Sequence, residues 1–84
     1  MKNYIQLNEE DNVVVAISPL KKNDILQFGK NRITILDDIP PGHKIAVRDI
    51  CKKSSVIKYG LSIGMALVNI TVGEHVHIHN ITSK

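Results

Sequence analysis

The sequence predicts a small, mostly β protein with at most one or two short helical turns. Apolar residues come in short runs of strand length, which Gly, Pro, Asn and Asp interrupt, and helical periodicity is weak throughout. Aromatic residues make up only 4% of the chain, so the core must come from Ile, Val and Leu. The β-branched members of that set favour pleated strands. We therefore expect short antiparallel strands in a single domain over residues 1–84.

The first half of the chain contains three predicted strands and the one candidate for a helical turn. Short apolar runs predict strands at residues 4–7 and 13–17, with a polar loop between them. The stretch LKKNDILQFG (20–29) is the only one in which a helical turn or two is expected. A further apolar run predicts the third strand at residues 32–36.

The second half of the chain contains four predicted strands with glycine- and proline-rich turns between them. Pro40-Pro41-Gly42 is a rigid turn that leads into a strand, and Gly60 and Gly64 mark turns or a bulge. The four predicted strands span residues 44–47, 56–59, 65–69 and 75–79.

One sequence pattern occurs four times: an apolar residue, a turn position three residues later, and then the apolar start of a strand. The copies are LKKNDI (20–25), IPPGHKI (39–45), ICKKSSV (50–56) and ITVGEHV (70–76). Their turn positions are Asn23, Gly42, Lys53 and Gly73. Gly and Asn tolerate a positive φ, so three of the four suit a tight turn, and Lys53 is the exception. The pattern indicates either a repeat or the common sequence preferences of β-turns.

Composition narrows the class of protein. The single cysteine, Cys51, allows no intrachain disulfide and fits a reducing cytoplasm. The amino terminus is polar, unlike a signal peptide, and apolar runs such as 13–17 are too short to cross a bilayer. The net charge of +3 is spread along the chain without interleaved aromatics, so no nucleic-acid partner is expected. We predict a cytoplasmic protein that binds neither membranes nor nucleic acid.

The segment GEHVHIHN (73–80) is the main candidate for chemistry. In an extended strand His75, His77 and His79 would share one face, with successive Cα atoms of the triplet roughly 6.5–7 Å apart. Two neighbours could share a metal ion, but three on a straight strand could not. A third ligand would have to come from elsewhere, and the candidates are His43, Asp49 and Glu74. Three interpretations of these histidines remain open: two of them bind a metal ion, they face a substrate or transfer protons, or they simply face solvent.

Other polar residues lie at turns and strand starts. The turn at residues 40–42 presents His43 and Lys44, either as functional groups or as ordinary exposed residues. Lys58 lies among apolar residues and could bind an anion or simply face solvent. Asp11 and Asn12 precede a buried strand and are interpreted as turn formers.

Four blocks together resemble a known family. LNEEDNVVVAI (7–17), IPPGHKIAVRDI (39–50), VIKYGLSIGMALVNI (56–70) and GEHVHIHN (73–80) are similar to the amino-terminal segment of the altronate and galactarate dehydratases. These enzymes are sugar-acid dehydratases, and the segment is an SAF domain with a β-clip fold like that of the antifreeze-like domains. The blocks occur in the family's order, whereas ICKKSSV replaces the family's usual turn of small residues and glycine.

The resemblance implies a β-elimination, in which a base removes the proton α to a carboxylate and water leaves the neighbouring carbon. It implies a divalent cofactor, iron(II) or manganese(II), held mainly by a larger partner or by His75 with His77. It also implies catalytic roles for His43 and His77. Substrate binding would fall to Lys44, Lys58 and His79.

Family members usually carry this segment in front of a long catalytic region. The resemblance therefore implies a small subunit, or an amino-terminal domain, that is inactive until a large catalytic dehydratase subunit completes the site for an aldonate or aldarate. Two alternatives are a non-catalytic substrate-binding or assembly module and the small subunit of a sulfolactate sulfo-lyase-like enzyme. A core this small also predicts that the isolated chain associates with copies of itself.

Overall fold

In a computed structural model of the chain, residues 4–6 and 8–82 are described, and they form nine short strands and no helix. The strands are β1 (Tyr4–Ile5), β2 (Val13–Ala16), β3 (Ile25–Phe28), β4 (Asn31–Thr34), β5 (Lys44–Ala46), β6 (Ser55–Lys58), β7 (Leu61–Ala66), β8 (His75–Val76) and β9 (Ile81–Thr82). The prediction of a small, mostly β protein is confirmed. Over the described residues, no helix has the length and apolar character needed to cross a membrane.

The strands form three small antiparallel sheets. The largest has the order β1-β2-β5-β8, β3 pairs with β4 in a hairpin, and the third sheet has the order β6-β7-β9. In the largest sheet Val14 lies opposite Ile45, and Ile45 in turn lies opposite His75. This register places β8 directly beside β5, although 32 residues separate His43 from His75 along the chain.

The β2–β5 pair separates two apolar cores. Val14 and its partner Ile45 contribute to one core, and their neighbours Val13 and Ala46, also paired, contribute to the other. Alternate residues of a strand point to opposite faces, so one strand pair supplies both cores. The strands that carry the candidate site are therefore anchored on both sides.

The fourfold sequence pattern is a structural repeat. The turn residues Asn23, Gly42, Lys53 and Gly73 all have positive φ, at 78°, 84°, 74° and 96°. Lys53 is therefore no exception in conformation. Each of the four donates its backbone N–H to a carbonyl of another part of the chain, over 2.7 to 2.8 Å, and the acceptors are Ile35, Ala16, Ala66 and Ala46 in the same order.

The repeats also pair with one another. The apolar residues that open the first and second copies, Leu20 and Ile39, form an isolated antiparallel bridge. Ile50 and Ile70, which open the third and fourth copies, do the same. The pattern thus specifies both a local turn and a long-range contact.

The expected helical turn at residues 20–29 is wrong. Lys21 donates its backbone N–H to Asp24 Oδ2 over 2.9 Å, and Asn23 adopts the left-handed region, which ends any right-handed helical path. The chain then enters β3, which pairs with β4 from Ile25 opposite Thr34 onward. Cross-strand hydrogen bonds outweigh the weak local preference for a helix.

Other strand boundaries differ from the prediction by a few residues. The predicted strand 65–69 is the end of the longer β7, which begins at Leu61, and residues 67–69 leave the sheet. The predicted strand 32–36 ends early, at Thr34, and β3 and β9 had no predicted counterpart. The turn at Gly60 is present, and the β6–β7 register shifts between Val56 and Ile57, opposite Gly64. Leu7, at the end of the first predicted strand, lies outside the described residues.

Candidate functional site

The histidine segment is a short strand followed by a tight turn. Strand β8 ends at Val76, and residues 77–80 turn back before β9. Asn80, which is only 3% exposed, holds this turn. Its Oδ1 accepts a hydrogen bond from the His77 N–H over 3.0 Å, and its Nδ2 donates to the His75 carbonyl over 2.9 Å. The predicted straight strand at 75–79 is therefore wrong, because the Asn80 side chain offers this backbone an alternative to strand pairing.

All four histidines of the chain form one group, which we call the histidine cluster: His43, His75, His77 and His79. The centroid of the His43 ring lies 4.3 Å from that of His77 and 5.0 Å from that of His75. The His79 ring lies 5.3 Å from the His75 ring. Lys44 lies opposite Val76 in the antiparallel β5–β8 pair, so the next position of that register places His77 opposite His43.

Local backbone contacts fix the position of His43. Its N–H donates to the Pro40 carbonyl over 3.1 Å, closing the turn, and its carbonyl accepts from the Ala16 N–H over 2.9 Å. His43 Nδ1 and His75 Nε2 lie 2.8 Å apart and share a hydrogen bond. The two rings are thus joined directly at the end of the β5–β8 pair.

Three members of the histidine cluster fit a metal ion. His43, His75 and His77 each offer one ring nitrogen, and these three atoms lie within 4.8 Å of one another. Ligands at about 2.1 Å from a shared ion lie about 3.0–3.4 Å apart, so small side-chain rotations suffice. The other two predicted third ligands serve turns instead: Asp49 accepts from the Val72 N–H over 2.9 Å, and Glu74 accepts from the Thr71 N–H over 3.0 Å.

Burial and neighbouring charges favour the neutral form of two of these rings. Burial lowers the pKa of His75, repulsion from the other three histidines lowers it further, and only Asp37 acts in the opposite direction. The pKa of His77 is lowered by desolvation first, and then by His43, Lys44 and His79. A neutral imidazole has a free lone pair, which can accept a proton or bind a metal ion.

One lysine, Lys44, adjoins the histidine cluster, and a second, Lys58, acts on Lys44. Burial lowers the pKa of Lys44, at the start of β5, and the charge of Lys58 lowers it further. The charge of Lys44 also acts on His77. Lys58 Nζ lies 5.1 Å from the centroid of the Tyr59 ring. Two ammonium groups that repel each other in this way favour an anion between or beside them.

Asp11 and Asn12 position the strand that carries Lys58. Asp11 is 1% exposed, and its Oδ1 accepts from the Gly60 N–H over 2.7 Å. Asn12 Oδ1 accepts from the Ile57 N–H over 2.7 Å. Interpreting both only as local turn formers missed these long-range contacts. Asn80 was missed as well; an asparagine three residues after His77 is the one sequence signal of its turn.

Comparison with known proteins identifies the family of this chain. The family model of the altronate/galactarate dehydratase SAF domain matches residues 2–84. The chain belongs to this SAF domain family. The resemblance of its four sequence blocks to these dehydratases is confirmed.

The SAF domain is similar to parts of several larger proteins. It is 41% identical over 80 residues to the altronate dehydratase of Bacillus subtilis (strain 168), and 44% identical over 77 residues to that of Escherichia coli (strain K12). These matches cover 95% and 92% of this chain, but only 16% of each relative. The SAF domain thus spans about a sixth of the length of these two relatives.

A further relative is itself named as a subunit. The (2R)-sulfolactate sulfo-lyase subunit alpha of Chromohalobacter salexigens is 48% identical over 50 residues, which cover 60% of this chain and 53% of that subunit. The SAF domain is therefore similar both to a part of long dehydratases and to a short subunit of a lyase.

Proposed function

We propose that this SAF domain is the small component of a sugar-acid hydro-lyase of the altronate dehydratase kind, and that it completes the active site of a larger catalytic region. The observation that carries the proposal is the histidine cluster, which lies beside Lys44, a lysine on which the charge of Lys58 acts in turn. The 16% share of the dehydratase relatives supports a larger region that supplies the rest of the enzyme.

The reaction is the loss of water from a hydroxy acid. A base takes the proton from the carbon α to the carboxylate, the neighbouring hydroxyl leaves with a proton as water, and the resulting enol becomes a keto acid. Lys44 and Lys58 bind the carboxylate, where their charge offsets the negative charge that develops after proton removal. His79, at the edge of the cluster, contacts the substrate.

Catalytic roles fall to His43 and His77, whose rings are the closest pair in the histidine cluster at 4.3 Å. His77 is kept neutral at pH 7 by its lowered pKa, and neutral imidazole suits proton transfer near that pH. A metal ion would bind through the same imidazole lone pair that accepts a proton. Loss of either ring is therefore expected to lower activity, whether that ring transfers a proton or holds the ion.

The donor set of the histidine cluster fits a divalent ion such as iron(II) or manganese(II), with His75 and His77 as its ligands on this chain and the larger region holding the remainder. When bound, such an ion holds the substrate carboxylate and stabilises the enediolate charge. Three imidazole nitrogens within 4.8 Å and the unpaired His77 Nδ1 support this assignment.

Reconstitution tests the proposal. The chain is mixed with the part of the B. subtilis altronate dehydratase that the match does not cover, and conversion of altronate to its dehydrated product is measured with iron(II) present. Activity is expected only with both parts. His43→Ala and His77→Ala should each lower kcat by about 100-fold or more, the usual contribution of a positioned acid–base group.

Lysine variants separate substrate binding from catalysis. Lys44→Ala and Lys58→Ala should raise KM, whereas Lys30→Ala, in the exposed β3–β4 turn, is the matched control and should leave both constants unchanged. If His43→Ala and His77→Ala retain full reconstituted activity, the domain is a substrate-binding or assembly module without a catalytic role.

A second candidate function has its own support. The 48% identity to a sulfolactate sulfo-lyase subunit favours an elimination in which sulfite leaves instead of water. The same preparations, combined with the partner subunit of that enzyme and supplied with (2R)-sulfolactate, discriminate the two. Release of sulfite without turnover of altronate would replace the hydro-lyase assignment.

A further inference from the structure

We propose that His43 joins His75 and His77 in a three-imidazole metal site that binds a divalent ion in the isolated domain, before a larger region adds any further ligand. The three residues come from two separate parts of the chain, the turn before β5 and the β8 segment with its following turn. Their ring nitrogens nevertheless lie within 4.8 Å of one another. Among the described residues this is the one such group of possible ligands.

The state of His77 is the second observation that points to a ligand. His77 Nδ1 is buried and has no hydrogen-bond partner. A buried polar atom without a partner is costly, and native proteins seldom retain one without a function. An ion shared with the two neighbouring histidines would satisfy this atom.

His43 and His75 are already spaced as a ligand pair. Their 2.8 Å nitrogen separation is close to the roughly 3.0–3.4 Å between neighbouring ligands of one ion. The hydrogen bond between them holds one proton on a ring nitrogen. When an ion binds, that proton moves to the other nitrogen of the same ring, so the charge of the pair does not change.

The backbone around the ligands holds them in place. The Asn80 side chain holds the backbone of both His75 and His77, and the β5–β8 register places these residues beside the turn that carries His43. Asp37 Oδ2 accepts from the His75 N–H over 3.0 Å, which places a negative charge near the ion. The charge of Lys44 opposes a cation, and a carboxylate ligand on the ion would offset that charge.

Three protein ligands leave coordination positions open. Structural sites usually close around the ion with four protein ligands, whereas catalytic sites keep a position for water or substrate. All three histidines are only partly buried, so solvent reaches the cluster. The site thus suits an exchangeable ligand such as a substrate carboxylate.

The ligand type selects among ions. Imidazole nitrogen suits iron, cobalt, nickel, copper and zinc, whereas magnesium and manganese prefer oxygen ligands. We therefore expect cobalt(II) and zinc(II) to bind more tightly than manganese(II), with magnesium(II) the weakest. Within the two ions that the dehydratase resemblance implies, this favours iron(II).

Metal titration of the chain alone tests the site. Chelator-treated protein is titrated with cobalt(II), followed by visible absorption, and with zinc(II), followed by calorimetry. One ion per chain is expected. His43→Ala, His75→Ala and His77→Ala should each raise the Kd at least about tenfold, since even residues that only orient a ligand cost that much. Cys51→Ala is the control for adventitious thiol binding and should match the parent chain.

The outcomes separate this site from the proposed function. Circular dichroism checks that each variant folds, and His→Gln versions replace any that do not. Three results would each overturn the three-ligand assignment. They are no binding by the parent chain, equal affinity for manganese(II) and cobalt(II), and a loss of metal affinity in His79→Ala as large as in the other three variants. Such a result leaves reconstituted dehydratase activity intact if the larger region holds the ion, so the two proposals fail independently.

Discussion

The four turn repeats share one backbone geometry but differ in what they carry. The copies at residues 39–45 and 70–76 hold His43 and His75, whereas those at 20–25 and 50–56 open hairpins without a histidine. All four place a residue with positive φ at the same position and donate its N–H across the fold. The repeated backbone therefore builds the scaffold, and side chains at two of its four copies build the candidate site.

Strand pairing explains why these two copies hold the site. The strands that follow them, β5 and β8, are only three and two residues long and pair with each other. The strands that follow the other two copies, β3 and β6, each pair with the next strand in the chain. Two copies are thus brought together across the sheet, where His43, the residue before β5, contacts His75, the first residue of β8.

The largest expected effect is at the turn glycine of the fourth copy. Gly73 has φ 96°, and a Cβ there would overlap the Thr34 carbonyl oxygen. Gly73→Ala should therefore combine left-handed strain with a backbone clash and destabilise the domain by about 2–5 kcal/mol. Urea unfolding measures the change in the free energy of unfolding.

The second copy supplies the matched control. Gly42 has a similar φ of 84°, but a Cβ there would meet nothing within 4 Å. Gly42→Ala should cost only the left-handed strain, about 1–2 kcal/mol. Equal losses in the two variants would show that the close approach to Thr34 is not what requires glycine at position 73.

The fourfold pattern is visible in the sequence because its signals are local, although the sequence left open whether it is a repeat or the common preference of β-turns. An apolar residue and a turn residue at fixed spacing are visible in four segments, and positive φ, expected at three of the turn positions, occurs at all four. Residue type alone did not predict the backbone of Lys53, since this lysine adopts a conformation that glycine prefers. The helical turn at 20–29 failed for the opposite reason, because pairing between β3 and β4 overrides local preference.

The candidate site could be predicted only in part. The histidines themselves were evident, and His43 was among the possible third ligands. Its position beside His75 depends on β5–β8 pairing across 32 residues, which no local pattern encodes. The same register, continued past Lys44 opposite Val76, places His77 opposite His43, and the Asn80 side chain helps to close the turn that follows. The hydrophobic periodicity of a sequence predicts neither long-range strand register nor hydrogen bonds from side chains to the backbone.

The second expected effect is a pH dependence that arises from the repeats with histidines. The pKa values of His75 and His77 are lowered from 6.5 in the fold, so the unfolded chain binds protons that the folded chain does not. The free energy of unfolding should therefore fall as the pH drops through 6.5, until the folded histidines also titrate. Chemical unfolding at pH 7.5 and 5.5, with chelator present, measures this.

Histidine variants identify the source of that pH dependence. In His75→Ala and His77→Ala the loss of stability between pH 7.5 and 5.5 should be smaller than in the parent chain. A parent chain that becomes more stable on acidification would contradict the lowered pKa values and the neutral state of the cluster.

The smallest expected effect is at the turn position of the third copy, where lysine occupies the conformation that glycine adopts in two others. Lys53 has φ 74° and is exposed. Lys53→Gly should remove about 1–2 kcal/mol of left-handed strain and add about 0.5–1 kcal/mol of backbone entropy cost. The net gain of about 0.5–1 kcal/mol should raise Tm by a few degrees.

Its neighbour Lys52 is the matched control, since it is exposed and is not among the described residues with positive φ. Lys52→Gly should only add backbone entropy to the unfolded chain and lower Tm. Changes in Tm of opposite sign for Lys53→Gly and Lys52→Gly would show that the repeat imposes the left-handed conformation on whichever residue occupies its turn position. If both variants lose stability, Lys53 carries no strain there, and glycine is required only where the backbone passes close, as at Gly73.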